Sequence, residues 1–194
     1  MRIKSVSLLI AVTAALVCAQ AASAQVNIAP DATATGSAPW NGNVPARLID
    51  GDYRYDYTSA TGAYMSPGGT WFELAWAADV TFDTVKLFNT GLTGYAQYNL
   101  SKFDISIWNS TTSAWQIVDS ADYTSSNAPD VYVFTSATAL TTDKIRIDVQ
   151  AQNNVAGDTM LRMREMEVIS APVPEPMTLS LLAMGGLGIL SRRR

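Results

Sequence analysis

The sequence predicts an all-β chain folded as an antiparallel β-sandwich or jelly roll. Three observations carry this. Apolar residues recur at period two in short runs, as in Phe103-Asp104-Ile105-Ser106-Ile107 and Lys144-Ile145-Arg146-Ile147-Asp148-Val149, the spacing of strands with one buried face. Polar connections bearing glycine and proline separate the runs. No stretch of the central region carries a convincing amphipathic helical period.

The centre is Trp71-Phe72-Glu73-Leu74-Ala75-Trp76 followed by Val85-Lys86-Leu87-Phe88. The intervening residues 77–84 are too few for a crossover helix. The two runs are therefore neighbouring antiparallel strands, or strands joined across two sheets. Before them, Val26 to Arg47 is small and polar with Pro30, Pro39 and Pro45, and reads as extended coil with one or two short strands. Leu48 and Ile49 enter the core, and Asp50-Gly51-Asp52 turns. After them, Phe103 to Trp108 and Trp115 to Val118 pair across the turn Asn109–Ser113. Asp119–Asp130 is a polar loop, Val131 to Phe134 a strand, Thr135–Thr142 a connection and Lys144 to Val149 a strand. In Leu161-Arg162-Met163-Arg164 the apolar residues are odd-numbered, and in Glu165-Met166-Glu167-Val168 they are even-numbered. That change of phase requires a bulge or bend near Arg164-Glu165.

Both termini read as addressing signals. Arg2 and Lys4 precede an apolar run from Val6 to Val17, and Ala22-Ser23-Ala24 supplies a small-x-small cleavage pattern. Residues 1–24 thus read as a secretory signal peptide forming a cleavable helix. Its Cys18 is the sole cysteine of the chain. The domain at 26–170 holds no cysteine and no histidine, and carries 8 Lys and Arg against 16 Asp and Glu, a net charge of −8. It cannot be a disulfide scaffold. Its charge opposes a nucleic-acid partner and suits divalent cations or neutral sugars.

Residues 171–194 form a three-part tail: Val173-Pro174-Glu175-Pro176, an uncharged segment at 177–190 and Arg192-Arg193-Arg194. Fourteen residues of helix reach about 21 Å, short of a hydrocarbon core of roughly 30 Å. The tail resembles the PEP-CTERM sorting signal of Gram-negative bacteria that secrete exopolysaccharide. The resemblance implies export through the inner membrane and transient lodging there through a short transmembrane helix. Cleavage near the motif by an exosortase then delivers the protein to the cell surface or extracellular matrix.

The central region, most of Asn27 to Ile169, resembles the discoidin or coagulation-factor C-type domain, a galactose-binding-like jelly roll. The likeness rests on Asn27-Ile28-Ala29, Ala46 to Asp52, Trp71-Phe72-Glu73-Leu74, Val85 to Asn89, Phe103 to Trp115, Lys144 to Ile147 and Leu161 to Val168. It implies a structural Ca²⁺ at Asp50, Asp52 and Glu165, a cation that takes six to eight oxygens. A Ser or Thr hydroxyl commonly follows the acidic turn in that family. Here Tyr53-Arg54-Tyr55-Asp56-Tyr57-Thr58 follows instead, and Asp56 or Thr58 is the substitute. An ordinary Asp-Gly-Asp turn is the plain alternative. The likeness also implies a glycan bound on loops at one end of the sandwich, which nominates Trp40, Arg54, Tyr55, Tyr57, Tyr95 and Tyr98. Packing beneath their own loops is the alternative for each ring. Trp71 and Trp115 match core positions and are not nominated.

The expected function is a secreted, non-catalytic carbohydrate-binding module. A structural matrix protein that contacts other proteins and binds no sugar is the rival. Enzyme chemistry is disfavoured: the domain lacks the usual acid–base histidine and nucleophilic thiol and has no Gly-x-Ser-x-Gly turn. Asp50, Asp52 and Asp56 crowd one turn rather than flank a cleft.

Overall fold

The computed structural model describes residues 25–37, 43–53, 64–67, 71–89, 99–123, 128–152 and 160–172. The signal segment and the sorting motif Val173-Pro174-Glu175-Pro176 with its tail lie outside them. Two long strands dominate, β3 (Trp71–Phe88) and β6 (Val131–Gln152). Eighteen and twenty-two residues are far beyond the usual five or six of a globular strand. The two pair antiparallel from Trp71↔Asp148 to Phe88↔Val131, with one break in register between Phe82 and Thr84 and another between Ala75 and Val80.

The break between Ala75 and Val80 is where the ribbon changes layer. On one side, β1 (Thr33–Gly36), the first part of β3, the last part of β6, β4 (Leu100–Asn109) and β5 (Ala114–Asp122) make a five-stranded layer in that order. On the other, the first part of β6, the last part of β3 and β8 (Glu165–Ser170) make a three-stranded layer. Val26–Ile28 runs along β8, with Ile28 N donating to Val168 O at 2.8 Å and Ser170 N to Val26 O at 2.9 Å. A separate antiparallel pair joins β2 (Tyr64–Pro67) to β7 (Met160–Met163).

The two layers enclose one core. Phe72, Leu74, Ile105, Ile145 and Ile147 from the first meet Phe82, Val85, Leu87, Met166 and Val168 from the second, all buried. Phe103 of β4 meets Tyr132 of β6 edge to face at 4.9 Å, and the Tyr132 hydroxyl donates to Asp119 of β5. Each layer thus turns its apolar parity inward, as alternation requires. The bend itself is exposed at Ala77, Ala78 and Asp79. Thr142, buried at the matching point of β6, donates its hydroxyl to Trp108 O at 2.9 Å and accepts from Lys144 N at 3.1 Å.

Several expectations change. Residues 77–84 and Thr135–Thr142 are not connections but parts of β3 and β6, because the pairing resumes after each break in register. Asp119–Asp130 is strand as far as Asp122, where β5 continues against β4. Arg164 is the break foreseen from the change of phase. It separates β7 from β8, and the chain leaves one sheet there to join another. Trp76 is buried and donates its indole N–H to Ile28 O at 2.9 Å. Trp71 and Trp115, expected in the core, are only partly buried and lie outside it.

Phe72 is 1% exposed and central to the ribbon. Phe72→Ala should cost about 3–5 kcal/mol, read as a lowered midpoint in urea denaturation with an unchanged slope.

Candidate functional site

Doubling the ribbon brings both of its ends to the same end of the sandwich. Trp71 and Gln152 reach it in one layer, Phe88 and Val131 in the other. The chain segments that hold the nominated rings depart from there. Trp40 lies within 38–42, Arg54, Tyr55, Asp56, Tyr57 and Thr58 within 54–63, and Tyr95 and Tyr98 within 90–98, all outside the described residues. Their roots are described, and they are tied together.

Asn89 is the central tie. It is 1% exposed. Its backbone N–H donates to Asp130 O at 2.8 Å, its amide nitrogen donates to Pro129 O at 2.8 Å, and its amide oxygen accepts from Leu100 N at 3.0 Å. Arg164 completes the knot. Its backbone N–H donates to Phe88 O at 2.8 Å, Nε to Asn89 O at 2.5 Å and Nη1 to Tyr53 O at 3.2 Å. Ser37 joins the other side, its N–H donating to Trp71 O at 2.9 Å. Three loop roots are thus held by hydrogen bonds from two side chains, and charge-assisted bonds of the Arg kind are the stronger ones. Neither residue was nominated from sequence. Alternation marks core faces and gives no signal for a polar side chain that bonds carbonyls.

The acidic turn folds over the outer side of β8. Tyr53 meets Phe88 edge to face at 4.9 Å and donates its hydroxyl to Glu167, which also takes Lys86 Nζ at 2.8 Å. Burial alone would raise Glu167, but the Lys86 and Tyr53 bonds and the Lys86 charge hold it below the usual carboxylate value. Burial and the bond to Glu167 push the Tyr53 hydroxyl up. Gly51, at φ 76°, adopts a left-handed conformation that favours glycine. Its N–H donates to Glu165 Oε1 at 3.2 Å, while Asp52 N–H donates to Asp50 Oδ1 at 2.8 Å.

Glu165 stands apart. It is 0% exposed, and its Oε2 has no hydrogen-bond partner among the described residues. Burial pushes its carboxyl up to about 8. The Gly51 bond opposes that, while the charges of Asp50, Glu167 and Asp52 add to it. Three of the four residues nominated for a metal, Asp50, Asp52 and Glu165, are therefore brought into one neighbourhood. The fourth, Asp56, lies outside the described residues. Among the described residues, no group of three or more acidic side chains closes around a common point.

The fold has known counterparts. No protein-family model and no curated protein matches the chain. Among solved structures, the family 32 carbohydrate-binding module of C. perfringens NanJ, in complex with galactose, aligns with a TM-score of 0.59 at 12% identity. The alignment covers 76% of this chain and 100% of that one. The family 32 module of Streptococcus pneumoniae EndoD aligns at 0.62 and 17% identity, over 75% and 100%. The lectin domain of lectinolysin, complexed with Lewis B antigen, aligns at 0.59 and 23%, over 75% and 97%.

Glu165 sets a pH dependence in metal-free protein. Its folded value of about 8 lies above the ordinary 4.5. Between these values the folded state holds a proton that the unfolded chain has released, so stability falls as pH rises and levels off above the upper one. Denaturation in chelator should show this decline between pH ~5 and ~8, and Glu165→Gln should flatten it. Equal declines in both proteins would assign the proton elsewhere. The fold itself is an antiparallel jelly roll of the galactose-binding-like kind, as the strand order and these alignments together show.

Proposed function

We propose that this chain is an exported, non-catalytic carbohydrate-binding module whose glycan site lies at the end of the sandwich where the loop roots converge. The knot of Asn89 and Arg164 carries the reading. It fixes, on a rigid two-layer support, the departure points of the segments that hold Arg54, Tyr55, Tyr57, Tyr95 and Tyr98. Ser37, bonded to Trp71, does the same for the segment with Trp40. Loops on a rigid scaffold are where recognition concentrates. Aromatic rings with polar neighbours suit a sugar, which has an apolar face and hydroxyl edges. Solved relatives of the fold are described as bound to galactose and to Lewis B antigen, which makes those glycans the first to try.

The acidic turn is proposed to hold a structural Ca²⁺ with Asp50, Asp52 and Glu165, joined by Asp56 or Thr58. The orphaned, buried Oε2 of Glu165 beside two further carboxylates is the supporting observation. A hard cation there would offset the cost of an ionised buried carboxylate and fasten the turn to β8. The termini supply the proposed route. A signal peptide exports the chain, and an exosortase removes the tail near Val173-Pro174-Glu175-Pro176, leaving the module at the cell surface or in the exopolysaccharide matrix.

A glycan array followed by calorimetry tests the binding. Well-folded protein should bind a neutral glycan, and Trp40→Ala, Tyr55→Ala or Tyr95→Ala should weaken it at unchanged melting temperature. Absence of any glycan binding would favour the matrix-protein reading instead. Ca²⁺ should raise the melting temperature, and Asp50→Ala should abolish the rise. Intact-mass analysis of protein recovered from an exosortase-bearing host should show a chain ending near residue 174. A full-length chain would refute the sorting step.

A further inference from the structure

The outer face of the five-stranded layer carries side chains that solvent alone does not call for. Phe72, Leu74, Ile105, Ile107, Ile145 and Ile147 point into the core, so the alternate residues point out. These outward residues include Trp71 on β3, Lys144 and Arg146 on β6, Trp108 on β4, and Trp115 and Ile117 on β5. Three of the four described tryptophans are thus on a face where polar residues are the norm. They form one surface. The Arg146 guanidinium lies 4.5 Å from the Trp71 ring centre and 5.8 Å from that of Trp115. Trp115 meets Trp108 edge to face at 5.4 Å, and Lys144 Nζ lies 5.3 Å from the Trp108 ring. Asp148 Oδ1 holds Arg146 Nε at 2.9 Å. Ser106, between Arg146 and Ile117 on the same face, is 2% exposed, so its neighbours close over it. Ile117 extends the surface toward the sheet edge at 59% exposure.

We propose that this face is a second carbohydrate-binding surface, which takes an extended, uncharged polysaccharide continuing from the sugar held at the loop end. The inference rests on the preceding functional reading for the anchored end of the glycan. Two observations select the occupant. The face is continuous with the loop end, because Trp71 is the first residue of β3 and is bonded on both its backbone groups to Ser37, the root of the segment holding Trp40. Its charge also discriminates. Glu73, Asp104 and Asp148 stand among the rings beside Lys144 and Arg146, so the face mixes both signs and offers donors and acceptors to hydroxyl groups without a single-sign field for a charged chain. The cations grip the rings by cation–π contact, so the indoles are ordered before the ligand arrives and little side-chain entropy is lost on binding.

The test uses the exported protein, with galactose and a neutral galactan hexamer as probes and indole ¹⁵N shifts and calorimetry as readouts. The hexamer should bind roughly tenfold tighter than galactose and shift the Trp71 and Trp115 indole signals. Trp115→Ala should remove that gain while leaving the galactose affinity unchanged. Arg146→Lys, which keeps the fold and the charge but loses the planar guanidinium, should reduce it. Galactose binding without a length-dependent gain, or a gain that survives in Trp115→Ala, overturns the second surface and leaves the loop-end reading standing. Hexamer shifts at the indoles without galactose binding uphold the surface and overturn the loop end as the anchor. Binding of neither probe overturns both. Concentration-dependent self-association lost in Trp115→Ala would assign the face to a second copy and overturn the proposal.

Discussion

The pairing of β3 with β6, kept through a fold in the middle of both strands, is the constraint on which the rest of the molecule depends. Hydrogen bonding continues on both sides of the register break at Ala75–Val80, so neither strand leaves a long run of open edge there. Side chains alternate within each layer, and the register break between Phe82 and Thr84 moves the inward set from even-numbered to odd-numbered residues of β3. Phe72 and Leu74 before the bend face the same interior as Val85 and Leu87 after it. A single two-stranded element therefore supplies the centre of both sheets, and the remaining strands add to its edges. β1 and β4 flank it in one layer, β8 in the other, and β5 closes the outside of β4.

This topology decides where recognition can occur. A ribbon folded in half has both of its ends on one side, and the bend on the other is short and made of small or polar residues. The described roots of the segments at 38–42, 54–63, 90–98 and 124–127 then lie on the side of the ribbon ends. Buried polar groups accumulate there as a result: Asn89, Asn99, Ser101 and Glu165 are all nearly inaccessible to solvent. Most of Asn89's capacity is used by carbonyls and N–H groups of neighbouring roots. Glu165 differs in being a carboxyl. A carboxylate at 0% exposure with one oxygen unpartnered costs several kcal/mol to keep ionised. The nearby carboxylates of the acidic turn make the cost greater, and a cation is the kind of partner that would remove it.

Much of this was legible in the residues. Phe103, Ile105 and Ile107, and Ile145, Ile147 and Val149, face inward as their alternation requires. Arg164 breaks the strand where the apolar phase changes. What was not legible follows from physics that pattern does not carry. A strand bent between two sheets keeps its alternation on each side and hides the bend inside what reads as a loop, as at Ala77-Ala78-Asp79. The placement of Trp71 was within reach: it shares parity with Glu73 and Ala75, whereas Phe72, Leu74 and Trp76 have the buried parity. The resemblance to the discoidin-type domain put it at a core position, whereas its parity puts it on the outer face. Trp115 could have been placed in the same way from its pairing with Trp108, which follows the inward Ile107. The knot of Asn89 and Arg164 had no comparable signal, since its partners are backbone groups scattered along the sequence.

The parity of Trp71 bears on how the proposed module would hold a long ligand. Side chains on loops adapt to a partner but must lose conformational freedom to do so, whereas side chains on a paired strand have already lost it in folding. Arg146 between Trp71 and Trp115, itself held by Asp148, continues that ordering from the backbone outward to the rings. A binding region that begins among loops and continues along a pleated face would combine the two. The loops would discriminate one sugar from another, and the face would add affinity for chain length without discriminating further.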